Sequence, residues 1–184
     1  MKTKLFLISL FALLAISTAE AQPPKSGSSG LKATQNGIGV LTFGSNVSDL
    51  PATADGMYDR IEKEYDDFEG STIFRLYLGK KLQYILITNN QITNIEVYDS
   101  NVDLGGFKVG DSISKIMALK PKQEITNEGL QVSINGCFLG IHGSLNESGM
   151  KKYNGAYANL EKGTLNVSDF KDGATLQYAL IYKD

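Results

Sequence analysis

The chain has one cysteine and one histidine, so any thiol–imidazole chemistry must use Cys137 and His142 together. A nucleophilic cysteine needs a base within hydrogen-bond reach to form its thiolate. The two residues lie five apart in a stretch that reads as a strand. Odd offsets on a strand point to opposite faces. On a helix the same spacing leaves them roughly 140° apart. The spacing therefore splits the pair, with Cys137, Leu139 and Ile141 facing inward and His142 facing solvent. The same composition excludes a His-pair metal site, a cysteine-rich zinc site and an intramolecular disulfide framework. No G-x-S-x-G, S-x-x-K or P-loop pattern occurs.

Carboxylates are the remaining catalytic currency. Glu62, Glu64, Asp66, Asp67 and Glu69 cluster beside Arg60 and Lys63. Glycosidase chemistry needs two carboxylates flanking a sugar cleft, usually with aromatic platforms, and the chain has no Trp. Such a charge run reads as a solvated helix face. Asp99, Asn101 and Asp103 have the D-x-N-x-D spacing that opens a calcium loop. That loop requires Gly at its sixth place and Glu at its twelfth, where Leu104 and Gly110 stand. The reading is an Asx-rich turn. Calcium is the alternative, which a calorimetric titration separates. Gly105 to Asp111 is glycine-rich but lacks the G-x-G-x-x-G spacing, and Asp111 repels a phosphate. No residue is assigned as catalytic, cofactor-binding or metal-binding. Asn46, Asn146 and Asn166 each open an N-x-S triplet, to which little weight attaches.

What must position any site follows from the chain's layout. Lys2 and Lys4, an apolar run from Leu5 to Ile16 broken by Ser9, and Ala19-Glu20-Ala21 form a secretory signal pattern. The expected cut is after Ala21. The apolar run is shorter than the roughly 20 residues a membrane span needs. No Cys lies at the cut, so the expectation is a periplasmic or secreted protein that is not a lipoprotein. In an oxidising compartment the lone Cys137 is read as a buried small hydrophobe, with an intermolecular disulfide as the alternative. Gln22 to Gly30 reads as a flexible linker, and 31–184 as one α+β domain. The formal charge of −2 lacks the basic excess of a nucleic-acid binder.

Period-2 apolar segments predict strands at Thr72–Leu78, Leu82–Thr88 and Ile92–Tyr98, joined by short turns into an antiparallel meander. A second hairpin follows, Gln131–Ile134 and Cys137–His142 around Asn135-Gly136, which favours a type I′ turn. The last strand is Ala174–Tyr182. Ser112–Leu119 is a helix closed by Pro121. Met57–Phe68 is a second helical stretch, with Met57, Ile61, Tyr65 and Phe68 spaced by four, four and three. Residues 144–165 are expected to form a long loop.

Two internal echoes suggest related halves, 38–99 and 104–184, around one antiparallel sheet. Phe43–Leu50 resembles Val109–Ile116, and Leu82–Ile87 (LQYILI) resembles Leu176–Ile181 (LQYALI). On that alignment the second half has no counterpart of Ile92–Tyr98.

The stretch Ile92–Ile113, a strand reading I-x-x-I-x-V followed by a polar turn and V-G-D-S before a short helix, resembles uncharacterised envelope proteins of Gram-negative bacteria. It is similar in this to the sigma-E-regulated envelope lipoproteins of unknown function, from which it departs by having no lipid-attachment Cys. The resemblance implies an α+β envelope protein and transfers no catalytic residue. The leading functional expectation is a non-catalytic binding module for an envelope protein, glycan or small ligand; Tyr, with nine residues, suits recognition surfaces, while most of the nine are expected to serve the core. The alternatives are a carboxylate-dependent hydrolase and a structural subunit of an envelope assembly. They predict, respectively, a cleft gathering two carboxylates of raised pKa and a large exposed apolar patch.

Overall fold

The computed structural model describes residues 30–126, 129–159 and 164–182. The signal pattern and nearly all of the expected linker lie outside these. Among the described residues no helix is long and apolar enough to cross a membrane.

The fold is α+β. A two-residue hairpin, β1 (Gly37–Ile38) with β2 (Leu41–Thr42), leads into an eight-stranded antiparallel sheet. Its strands are β3 (Arg60–Asp66), β4 (Ser71–Leu78), β5 (Lys81–Thr88), β6 (Asn94–Val97), β7 (Lys122–Thr126), β8 (Gly129–Ile134), β9 (Cys137–Gly140) and β10 (Tyr178–Tyr182). Spatial order is β3-β4-β5-β6-β10-β9-β8-β7. Two four-stranded meanders therefore meet at a central β6–β10 seam, each ending there with its last strand.

Register across the sheet separates two faces. Ile61, Leu76, Tyr84, Val97, Ala179 and Leu139 stand in one row of partners. All but Ile61 are buried. The opposite row runs Glu62, Arg75, Ile85, Glu96, Leu180, Phe138, Ser133, Lys122, one residue per strand, and none is buried. A bulge in the β4–β5 ladder, after Leu76 opposite Tyr84, leaves Gln83 unopposed.

Glycine turns bring the loops onto the inner face. Gly44 and Gly110 adopt φ of 83° and 88°, a region that favours glycine. Gly44 N donates to Ile92 O and Ile92 N to Ser45 O; Gly110 N donates to Leu176 O and Leu176 N to Asp111 O. Ile92 and Leu176 are thereby locked into the core at the entries to β6 and β10. Helix α1 (Ile113–Ala118) starts on Ser112, whose hydroxyl accepts from Lys115 N, and buries Ile113 and Ile116.

Four expectations are corrected. Met57–Phe68 is not helical: Ala54–Tyr58 is a bridged turn and Arg60–Asp66 is the edge strand β3. Residues 144–165 are not a loop, because Glu147–Asn159 forms helix α2. Asn146 caps it by accepting from Gly149 N at 3.0 Å, and Glu147 pairs with Lys151. The strand expected over Ala174–Tyr182 is confined to Tyr178–Tyr182. Finally, the two LQYxLI segments occupy different places, one in β5 and the other entering β10. In sheet position, Leu176–Tyr182 corresponds to Ile92–Tyr98. The type I′ turn forms as expected, with Asn135 at φ 52° and Gly136 at 78°.

Candidate functional site: an aromatic cleft on the open sheet face

Cys137 is buried in the core opposite Ile134, while His142 is exposed in the 3-10 turn His142–Ser144 and meets the Tyr153 ring edge-on at 5.1 Å. The fold does not bring them together. Burial pushes the Cys137 thiol up to about 11, away from the thiolate a nucleophile needs. Iodoacetamide is expected to leave native protein unlabelled at pH 8 and to label it fully in denaturant. Mass spectrometry reads both states, and rapid native labelling would contradict this burial.

The acidic run starts on strand β3 and ends in the β3–β4 turn, which holds Asp67 and Glu69. Glu62 and Glu64 project on the open face and pair with Arg60 and Arg75. Asp66 turns the chain into β4 by accepting from Phe68 N and Glu69 N. Asp99, Asn101 and Asp103 serve as turn builders. Asp99 Oδ1 accepts from the backbone and side-chain amides of Asn101, and Asp103 Oδ1 accepts from Gly105 N and Gly106 N. Those two amides hold the Asp103 carboxyl below its ordinary range. Among the described residues no three His, Cys, Asp or Glu side chains are grouped for a metal.

Asp99 also accepts a buried hydrogen bond from Tyr84 Oη at 3.1 Å. Burial, followed by the neighbouring carboxylate, raises the Tyr84 phenol far above its usual range. Replacing Tyr84 by Phe is expected to cost about 2 kcal/mol, the loss of a hydrogen bond to a charged acceptor. Urea denaturation at neutral pH measures it, and an unchanged midpoint would show that the bond contributes nothing net.

The three N-x-S asparagines all stand at N-cap positions. Asn46 and Asn166 head the 3-10 turns Val47–Asp49 and Val167–Asp169, and Asn146 heads α2. The tetrapeptide Asn-Val-Ser-Asp occurs at both 46–49 and 166–169 and makes the same turn each time. Sequence reasoning missed this exact repeat, which was legible in the letters.

The open face carries the concentration of rings. Tyr98 stacks on Tyr178 with centroids 5.5 Å apart, and Phe138 stacks on Tyr182 at 5.0 Å. Tyr178 stands opposite Gly140, and a Cβ there would lie 2.3 Å from its ring, so the ring lies directly over bare backbone. Burial, then Glu96, raises the Tyr98 phenol, which donates to Glu96 at 3.0 Å. Burial, Glu96 and Tyr153 raise Tyr178. Beside this aromatic group a cleft of about 210 Å³ opens, walled by Phe138, Tyr153 and Tyr178, with Gln131 and His142 contributing polar groups. The arrangement can bind; it gathers no carboxylate pair.

The fold is similar to a solved structure, that of the uncharacterised protein YfeY from Escherichia coli. The TM-score is 0.50 and the identity 15%, over 82% of this chain and 99% of that one. At that identity the likeness is one of fold. No family model and no curated protein matches the chain.

Proposed function

We propose that this is a non-catalytic binding module of the bacterial envelope, exported by cleavage after Ala21, that takes its partner on the open face of the eight-stranded sheet. One observation carries the reading. The face opposite the core presents Tyr98, Tyr178, Phe138, Tyr182, Ile85 and Leu180 along the central strands without burying any of them. Half-exposed apolar and aromatic side chains gathered on one face mark an interaction surface more often than a solvated one. Charges frame it: Arg75 and Glu96 flank Ile85 in the row, and Glu62 and Lys122 end that row at the two edge strands.

A pull-down from native envelope with the wild-type protein and with Leu180→Glu tests it. Leu180 lies at the centre of the face, so the added charge is expected to abolish recovery of bound material while circular dichroism is unchanged. A control charge at exposed Val167 is expected to leave recovery intact. Equal recovery with Leu180→Glu would move the site off this face.

A further inference from the structure

We propose that Asn135 modifies itself: its side chain cyclises onto the Gly136 nitrogen, and the β8–β9 turn ages into an isoaspartyl form that uncovers Cys137. Asn-Gly occurs three times, at 36–37, 135–136 and 154–155. Glycine puts no side chain beside its nitrogen, so in these pairs that nitrogen reaches the asparagine amide carbon most easily. The fold treats the three differently. Asn36 and Gly37 are pinned at every main-chain polar group. Asn36 N donates to Thr34 Oγ1 and Asn36 O accepts from Phe43 N; Gly37 N donates to Thr34 O and Gly37 O accepts from Thr34 N. A Cβ on Gly37 would collide with Leu41 O, so that backbone has no room to turn. Asn154-Gly155 lies inside α2, where main-chain amides bond to carbonyls four residues back. Asn135 and Gly136 are exposed, and among the described residues no hydrogen bond engages either one. They close a ladder of two pairs, Ser133 with Phe138 and Ile134 with Cys137. Opening this tip breaks least, and local opening sets the rate.

In the closed type I′ turn the Gly136 nitrogen points away from the Asn135 side chain, so the tip opens first. Gly136 N then gives its proton to hydroxide and attacks Asn135 Cγ. The bond from Cγ to Nδ2 breaks, and ammonia leaves with a proton from water, closing a cyclic imide. Water opens the ring. Addition at Cγ leaves Asp at 135 on an unchanged main chain. Addition at the main-chain carbonyl gives isoaspartate, with the chain running through Cβ and Cγ. Each event consumes one water and releases one ammonia, and solvent is the co-reactant. Isoaspartate adds a carbon to the main chain, for which a two-residue turn has no place. The Asn135 amide lies over Gly105, where a Cβ would stand 3.0 Å from Nδ2. Gly105 N and Gly106 N already hold the Asp103 carboxylate. A carboxylate made at 135 meets that like charge and is driven off the loop. Gly105, Asn135 and Gly136 wall the cleft that Cys137 lines, so the thiol loses its cover.

The test ages the full chain at pH 8, native and in guanidinium, while peptide mass spectrometry follows each Asn-Gly pair. In guanidinium the three are expected to lose ammonia at similar rates. In the native protein Asn135 is expected to lead Asn36 and Asn154 by about tenfold, and an isoaspartyl methyltransferase is expected to label the aged chain at 135. Asn135→Gly, whose Gly-Gly pair suits the same turn, is expected to fold and to lose most of the native ammonia release. Native reaction that reaches Asn36 or Asn154 first overturns the proposal. So does an Asn135 that keeps its amide in the native protein while the denatured chain loses all three, or release at the wild-type rate from Asn135→Gly. Iodoacetamide reads the uncovering. Aged native protein is expected to label at Cys137 about tenfold faster than fresh protein, and equal rates overturn the opening of the turn.

Discussion

Replacing Asp169 by alanine is expected to lower the unfolding free energy by about 3 kcal/mol, combining a lost helix cap with lost hydrogen bonds to a charged acceptor. Few described polar side chains are so enclosed: Asp169 is 2% exposed. Its carboxylate accepts from Asn166 N at 2.8 Å, closing the capping box of the Val167–Asp169 turn. It also accepts from Ser148 Oγ and from Lys152 Nζ, both on α2. One side chain thus ties a turn on the core side to the helix beside β8. Removing it orphans the Asn166 amide and takes the partner from the Ser148 hydroxyl and the Lys152 ammonium at once. The ion pair itself adds little to that figure, because the Lys152 side chain is 38% exposed and screened by water. Lys152→Met is accordingly expected to cost less than Asp169→Ala. Urea melts at pH 7 check the order: both midpoints fall with slopes unchanged, the aspartate variant further. Equal midpoints for wild type and Asp169→Ala would remove the turn–helix tie from the account.

The same carboxylate predicts a pH dependence. Burial works to raise its pKa, but the Lys152 ammonium, the Asn166 amide and the Ser148 hydroxyl outweigh it, and the net shift is downward. A depressed carboxylate pKa stabilises the fold above the unfolded value of about 3.9, and the contribution fades as pH falls through the lower folded value. The gap between wild type and Asp169→Asn is therefore expected to be constant from pH 7 to 5 and to close below pH 4. A gap that stays constant at low pH would show that the charge is not what stabilises the turn.

Several elements were legible because local pattern and tertiary role agree. The Asn135-Gly136 hairpin, the capped helix at Ser112 and the β4–β5–β6 meander form where alternation, cap and turn residues all point the same way. The strand β3 was misread as helix for a specific reason. Ile61 and Tyr65 are four apart, and an even offset of four keeps two residues on one face in a helix and in a strand alike. Met57 and Phe68 appeared to decide for helix, but both lie outside the strand. Met57 is buried within the Ala54–Tyr58 turn, and Phe68 is 93% exposed at the β3–β4 turn. Helix α2 was invisible for the opposite reason. Among its described side chains the stripe is Met150 and Tyr153, and its start is held by Asn146 and Asp169, partners that sequence spacing does not announce. The open face could not be read at all before the register was known. Phe138, Tyr178 and Tyr182 lie on β9 and β10 and Tyr98 just past the end of β6, and they become neighbours only when β6, β10 and β9 pair.

That pairing carries the second large effect. Across the seam Ala179 faces Val97, Leu180 faces Glu96, Ile181 faces Ile95 and Tyr182 faces Asn94. Matching Ile92 with Leu176 places Ile95 on Ala179 and Val97 on Ile181, so the ladder reads the same from either strand. Its inward residues are 0–5% exposed, and one of them, Ala179, is small. Ile95→Ala removes three carbons from a site enclosed on both strands and is expected to cost about 3 kcal/mol, within the range for buried aliphatic-to-alanine changes. Ala179→Leu tests the complementary limit: a larger side chain opposite Val97 has no space and is expected to cost about 2 kcal/mol by overpacking. Because Ile95 and Ile181 touch across the seam, Ile95→Ala and Ile181→Ala are expected to be non-additive, the double variant losing less than the sum. Thermal and urea melts of the singles and the double measure all three values. The outward side of the same strands bears Glu96, Tyr178 and Leu180, so the seam variants carry a second expectation. A seam that loosens shifts Tyr178 off Gly140, and recovery of bound envelope material on the open face falls with stability. If the melts move while that recovery does not, the two faces of the sheet are uncoupled.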